Sequence, residues 1–339
     1  MNTHFFSALA MVAILSVSPL FAASPKKTEP IKPSKTVLLY PKGQTVDEGI
    51  VENGVSVTSG PLADNGLRGE ETSPGYGDTY NIGNRASLDL YFPKKPNGQM
   101  VVVCPGGGYF MVSMWNEGSC VADWLVEKGI SVCVVKYRLP QGHWELPLHD
   151  VQNAFRYCRA HASEWGINSL GIMGFSAGGH LAATASVHFT DEVTRPAFSV
   201  LIYPVISLEE GLTHQGTHDN LIGKKETYMN KELTVLEFEK SVEKYNDLVK
   251  HYSLQYQVKE NTPPTFLALS ENDNTVPPEN SFLYYRALQE KKVSAQLHIY
   301  PAGGHGWGFR REPYGKDTLG KPYRDLFFTE LLTFLESVR

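Results

Sequence analysis

Along residues 87–338, short apolar runs rich in β-branched residues alternate with longer stretches whose apolar positions recur at helical spacing. The short runs predict strands at Ser87–Phe92, Met100–Cys104, Ile130–Lys136, Ser169–Met173, Ser199–Tyr203, Thr265–Ser270 and Gln296–Tyr300. The longer ones predict helices at Gly118–Lys128, Leu148–Ser163, Ala177–Val187, Glu279–Lys291 and Asp325–Val338. Strands separated by helices of this length pair in parallel, with helices on both faces. The expected class is a doubly wound, mostly parallel α/β sheet.

One segment breaks the rhythm. Residues 209–261 are too long for an ordinary crossover, and Lys231–Lys250 carries apolar residues at helical spacing with charges between them. This predicts a helical insertion before the strand Thr265–Ser270, either a cap over the site or a solvated helix that only lengthens the connection. Residues 24–86 are expected to be a Pro- and Lys-rich linker followed by loops and edge strands, and 87–339 to form one domain. Residues 5–23 are apolar and uncharged, with Pro19 and the pair Ala22-Ala23 near their end. They read as a secretory signal peptide, residues 1–23, and so predict a periplasmic or secreted protein with no stable membrane insertion after cleavage. An uncleaved anchor is the rival, since the stretch is almost long enough to span and only His4 and the amino terminus precede it as charge.

Composition narrows the function classes. Hydrophobic residues make up 42% and the formal net charge is −5, from 31 Lys+Arg against 36 Asp+Glu. That excludes overall disorder and argues against a nucleic-acid partner held by a basic surface. The four cysteines, Cys104, Cys120, Cys133 and Cys158, read as buried free thiols, with one disulfide open. None is paired as C-x-x-C, no H-E-x-x-H occurs, and Gly106-Gly107-Gly108 lacks dinucleotide-binding spacing. Neither metal nor cofactor is expected.

Candidate chemistry centres on Gly174-Phe175-Ser176-Ala177-Gly178-Gly179, between an apolar strand and a helix. A serine on such a turn is a nucleophile presented at the sheet edge, and the Ala177 amide points where negative charge would develop. The strand Met100–Cys104 runs into Pro105-Gly106-Gly107-Gly108-Tyr109, where Gly107 or Gly108 supplies the second oxyanion donor. The base needs a carboxylate to orient it, in the chain order serine, acid, histidine. Asp273 is the expected acid, with Glu271 of the same loop as rival and Asp150, Glu209 and Glu210 more distant; Asp150 reads more simply as a helix N-terminal charge. Among eleven histidines, His305 in the loop Pro301–Gly308 is the expected base. His298 reads as a sheet-face residue and His180 and His188 as structural. His214 and His218 of the insertion either border the substrate or are solvated. Glu117 lies near the site through the glycine loop or is a helix N-terminal charge.

The series Pro105–Tyr109, Glu117-Gly118, Lys136–Pro140, Pro147–Asp150, Gly174–His180, Thr262–Phe266, Asp273–Pro277 and Gly303–Trp307 resembles secreted bacterial α/β-hydrolases of the acetylxylan-esterase-like group, companions of endo-xylanases, over residues 87–338. The resemblance implies an α/β-hydrolase fold and removal of acyl, foremost acetyl, groups from plant polysaccharide such as xylan. It places nucleophile, acid and base on Ser176, Asp273 and His305. An acylated carbohydrate is then the expected partner; Tyr109 and Trp307, which adjoin catalytic loops, stand ahead of Trp115 and Trp144 as sugar-stacking rings, with core packing the more frequent role for each. The alternatives are a serine peptidase acting on short peptides and a non-catalytic carbohydrate-binding homologue.

Overall fold

The computed structural model describes residues 30–39, 51–52, 55–56, 71–73, 77–82, 86–140, 142–230, 232–309 and 317–339. The expected signal peptide lies outside them. Among the described residues the strands are β1 (Lys35–Leu38), β2 (Val51–Glu52), β3 (Val55–Ser56), β4 (Asp78–Thr79), β5 (Ser87–Tyr91), β6 (Gln99–Cys104), β7 (Val112–Ser113), β8 (Ser131–Lys136), β9 (Ser169–Phe175), β10 (Ser199–Ile202), β11 (Thr265–Ser270) and β12 (Ala295–Tyr300). Eight of them form one sheet in the order β1-β5-β8-β6-β9-β10-β11-β12. From β8 to β12 neighbouring strands run parallel, whereas β5 is antiparallel to both β1 and β8. The chain leaves β5 at Tyr91 and enters β6 at Gln99, too short a link for a helical crossover, so β5 breaks the expected parallel pairing. β1 was not foreseen: four mostly exposed residues at the sheet edge carry no alternation to read.

The sheet separates two apolar layers because successive side chains on a strand point to opposite faces. Met100, Val102 and Cys104 of β6 enter one layer, and Val101 and Val103 the other. Helices α2 (Leu146–Ala160), with the single turn α3 (Ala162–Trp165) after it, α4 (Ser176–Val187) and α8 (Glu279–Glu290) cover the first layer; α1 (Cys120–Glu127) and α9 (Lys321–Ser337) cover the second. Each fully buried Val, Leu or Ile contributes about 1.5–3 kcal/mol relative to exposure. All four cysteines are buried, and none forms a disulfide among the described residues.

Because β6, β9, β10, β11 and β12 are parallel, their C-terminal ends lie along one edge, and the loops that leave it converge there. The insertion is built from α5 (Gln215–Ile222), α6 (Lys225–Tyr228) and α7 (Val235–Tyr252). α7 opens on a capping box between Thr234 and Glu237, and buries only Leu248 and Tyr252. It is a solvated helix pinned near its C-terminus, while α5 packs on the catalytic edge. No helix among the described residues is long and apolar enough to cross a membrane.

One buried ion pair ties the loop after β8 to α2. The Arg138 guanidinium meets Asp150 at 2.8 Å, and the Arg138 amide donates to the same carboxylate at 2.7 Å. Asp150 is therefore an interior anchor and not a helix-terminal charge. Asp150→Ala removes the carboxylate that faces a buried guanidinium and is expected to destabilise the fold by about 3–5 kcal/mol in urea denaturation, whereas the double change Arg138→Met, Asp150→Leu costs less.

Candidate active site

Ser176 opens α4 with φ +53°, directly after the extended Phe175. A non-glycine residue in the left-handed region costs on the order of 1–3 kcal/mol, held here by what surrounds it. A Cβ on Gly178 would collide with the Cys104 carbonyl oxygen, so only glycine lets α4 start this close to the end of β6. The Val205 amide donates to the Ser176 carbonyl at 3.1 Å and fixes the turn from the other side.

The three expected residues meet. Ser176 Oγ donates to His305 Nε2 at 2.8 Å, and His305 Nδ1 donates to Asp273 Oδ2 at 2.7 Å. The Asp273 carboxylate is 1% exposed, and its Oδ1 accepts the amides of Thr275 and Val276 at 2.9 and 3.0 Å. Glu271, the rival acid, is exposed. The histidine loop is clamped along its length: Gly304 N–H donates to Asn272, Asn116 donates to the Gly306 carbonyl, and Arg324 of α9 donates to the carbonyls of Gly308 and Trp307.

The glycine loop after β6 lies against the serine. Glu117 Oε2 accepts the Gly106 amide at 2.7 Å, which takes that amide out of contention as an oxyanion donor. The amides of Gly107, Gly108 and Ala177 have no partner among the described residues. Gly107, at φ +128°, takes a backbone conformation that side-chain-bearing residues rarely adopt, and its carbonyl closes the loop by accepting from Phe110 and Met111. Asn220 of α5 holds the Gly108 carbonyl at 2.9 Å.

Glu117 is buried in a turn of π-helix, Trp115–Ser119, and its Oε1 accepts the Tyr203 hydroxyl at 2.7 Å. Burial pushes its carboxyl pKa up, opposed by those two hydrogen bonds. Tyr203 in turn accepts the Gly308 amide at 2.8 Å and sets its ring 4.8 Å from the His305 ring. Sequence reasoning placed Glu117 only loosely and missed Tyr203, which follows β10 at φ +38°. Its one local signal is a tyrosine before Pro204 at a strand end.

The two expected sugar-stacking rings are placed otherwise. Tyr109 is 1% exposed, with its hydroxyl 3.0 Å from His180 Nδ1; Trp307 is also 1% exposed, among Tyr203, Tyr300 and Phe327. Both are packing residues, because the loops that carry them fold those rings inward. His180 donates through Nε2 to the Tyr252 carbonyl at 2.8 Å, so Tyr109 donates to its Nδ1. Burial pushes the His180 pKa down to about 4.

Over residues 88–288 the chain matches the BD-FAE family. It is 39% identical over 231 residues to an acetylxylan esterase of Xylanibacter ruminicola, covering 66% of this chain and 44% of that protein. It is 35% identical over 222 residues to endo-1,4-beta-xylanase B of Butyrivibrio fibrisolvens, covering 61% and 32%. The chain thus spans less than half the length of either curated relative. Its fold is also that of the crystal structure of an acetyl ester-xyloside bifunctional hydrolase from Caldicellulosiruptor lactoaceticus, with TM-score 0.56 and 34% identity over 72% of this chain and 88% of that one.

The neutral His180 makes stability depend on pH. Between about pH 6.5 and 4 the unfolded chain takes up a proton that the folded chain refuses, so stability is full above this window and is lost as pH falls through it. The loss is up to about 1.4 kcal/mol per pH unit from this group. Urea midpoints at pH 7 and pH 5 are expected to differ, and to differ less in His180→Gln.

Proposed function

The chain belongs to the BD-FAE family, and from that premise we propose that it is a serine carboxylic-ester hydrolase that removes acyl, foremost acetyl, groups from plant polysaccharide or oligosaccharide such as xylan. The observation that carries the reading is the hydrogen-bonded chain Asp273–His305–Ser176, set beside the amides of Gly107, Gly108 and Ala177, which have no partner among the described residues. The substrate class is supported by the relatives' names, an acetylxylan esterase and an acetyl ester-xyloside hydrolase.

The chemistry follows from the geometry. Ser176 Oγ attacks the ester carbonyl as His305 Nε2 takes its proton, and the Asp273 carboxylate holds the imidazole and stabilises the imidazolium. The carbonyl oxygen gains charge as the carbon becomes tetrahedral, and the backbone amides meet it; loss of one such donor typically costs roughly 100- to 1,000-fold in kcat. His305 returns the proton to the departing alcohol, leaving an acyl group on Ser176. Water, activated by the same histidine, then releases the acid. Every step uses groups of this chain and water.

Ser176→Ala is expected to abolish acetate release from 4-nitrophenyl acetate and from acetylated xylan without lowering the urea midpoint, and near-normal turnover would sink the assignment. We also infer export from the apolar stretch 5–23. Mass spectrometry of the protein from a periplasmic or culture fraction should find a mature N-terminus near Ser24; an intact Met1 there refutes cleavage.

A further inference from the structure

With Tyr109 and Trp307 buried, neither ring is open to the alcohol half of the ester, whereas the residue after Tyr109 is exposed. Gly107, Gly108 and Tyr109 all lie at positive φ, 128°, 58° and 59°, and this succession turns Tyr109 inward and throws Phe110 outward. Phe110 is 52% exposed although its backbone is tied, its amide donating to the Gly107 carbonyl at 3.1 Å. One face is backed: a Cβ on Gly108 would lie 3.0 Å from the Phe110 ring, and the Tyr80 ring stands 6.2 Å away. Single exposed apolar side chains are ordinary on a protein surface. This one lies two residues from a candidate oxyanion amide and has a histidine across the same glycine.

That histidine is His214, the N-cap of α5. Its Cε1 would lie 3.7 Å from a Cβ on Gly108. Its Nδ1 lies 2.9 Å from the Thr217 hydroxyl and 3.2 Å from the Thr217 amide; the amide can only donate, so Nδ1 accepts from both and the neutral ring carries its proton on Nε2, which has no partner among the described residues. Burial, and then the nearby charge of His305, push its pKa down and keep it neutral, while Asp273 opposes this. His214 and Phe110 flank Gly108, whose amide is a candidate oxyanion donor, so both stand beside the position the scissile carbonyl would take. α5 also holds the Gly108 carbonyl through Asn220, so ring, donor and oxyanion loop form one unit.

We propose that Phe110 and His214 form the subsite for the sugar alcohol: the phenyl ring lies under an apolar C–H face of a pyranose, and His214 Nε2–H donates to a sugar oxygen at its edge. A pyranose presents both surfaces, an apolar face and a hydroxyl rim, and a ring beside a fixed neutral donor is complementary to them. The subsite rests on the carbohydrate-esterase reading above.

The test compares acetylated xylo-oligosaccharides with 4-nitrophenyl acetate in wild type, Phe110→Ala and His214→Asn. Asparagine keeps an acceptor for the Thr217 amide, so α5 remains capped while the Nε2 donor is lost. Each variant is expected to lower the ratio of kcat/KM for the sugar ester to that for the aryl ester by roughly tenfold, mainly through KM, since a contact made equally in ground and transition states acts on KM. Ratios unmoved in both variants, with wild type active on the sugar, overturn the subsite alone. A wild type that cleaves the aryl ester and no acetylated sugar overturns the substrate class and the subsite together.

Discussion

The carboxylate of Glu117 holds the catalytic edge together. It is buried between the Gly106 amide and the Tyr203 hydroxyl, and so joins the loop after β6 to the loop after β10. Tyr203 extends the connection to the loop after β12 by accepting the Gly308 amide and packing its ring against His305. A carboxyl group in an apolar interior is costly unless its oxygens are hydrogen-bonded, and each Glu117 oxygen has a donor. One side chain therefore sets the spacing between the oxyanion loop and the general base without touching either reacting atom.

The sheet supplies the frame on which that spacing is possible. Parallel strands end at a common edge, so Ser176 after β9, Asp273 after β11 and His305 after β12 converge although 129 positions separate serine and histidine in the chain. Strain is concentrated at the serine, whose left-handed backbone is held by the close approach of α4 to β6 and by the Val205 amide. The insertion divides its work. α7 is mostly solvated, while α5 holds the Gly108 carbonyl and carries His214 to the cleft.

Legibility along the chain followed the range of the interaction. The strand Thr265–Ser270 and the elbow around Ser176 were readable because strand, turn and helix signals lie within a few residues of one another. The place of β5 was not, since the short link to β6 excludes a helical crossover and says nothing about β8 lying between them. Asp150 looked like a helix-terminal charge because its partner, Arg138, belongs to a different element. Tyr109 drew notice as a ring next to the glycines, yet the run of positive φ angles turned it to the core and gave the exposed position to Phe110.

By itself the sequence determined the doubly wound α/β class, the order of its elements and the residue types at the serine, acid and histidine positions, because hydrophobic period and turn chemistry act locally. Only the tertiary structure decided which carboxylate faces His305, which amides near Ser176 are left open, and that Glu117 and Tyr203 bind three loops into one edge. Those outcomes depend on burial and on hydrogen bonds between residues far apart in the chain. The direction of a side chain there is set by the backbone packed against it, which no local pattern records.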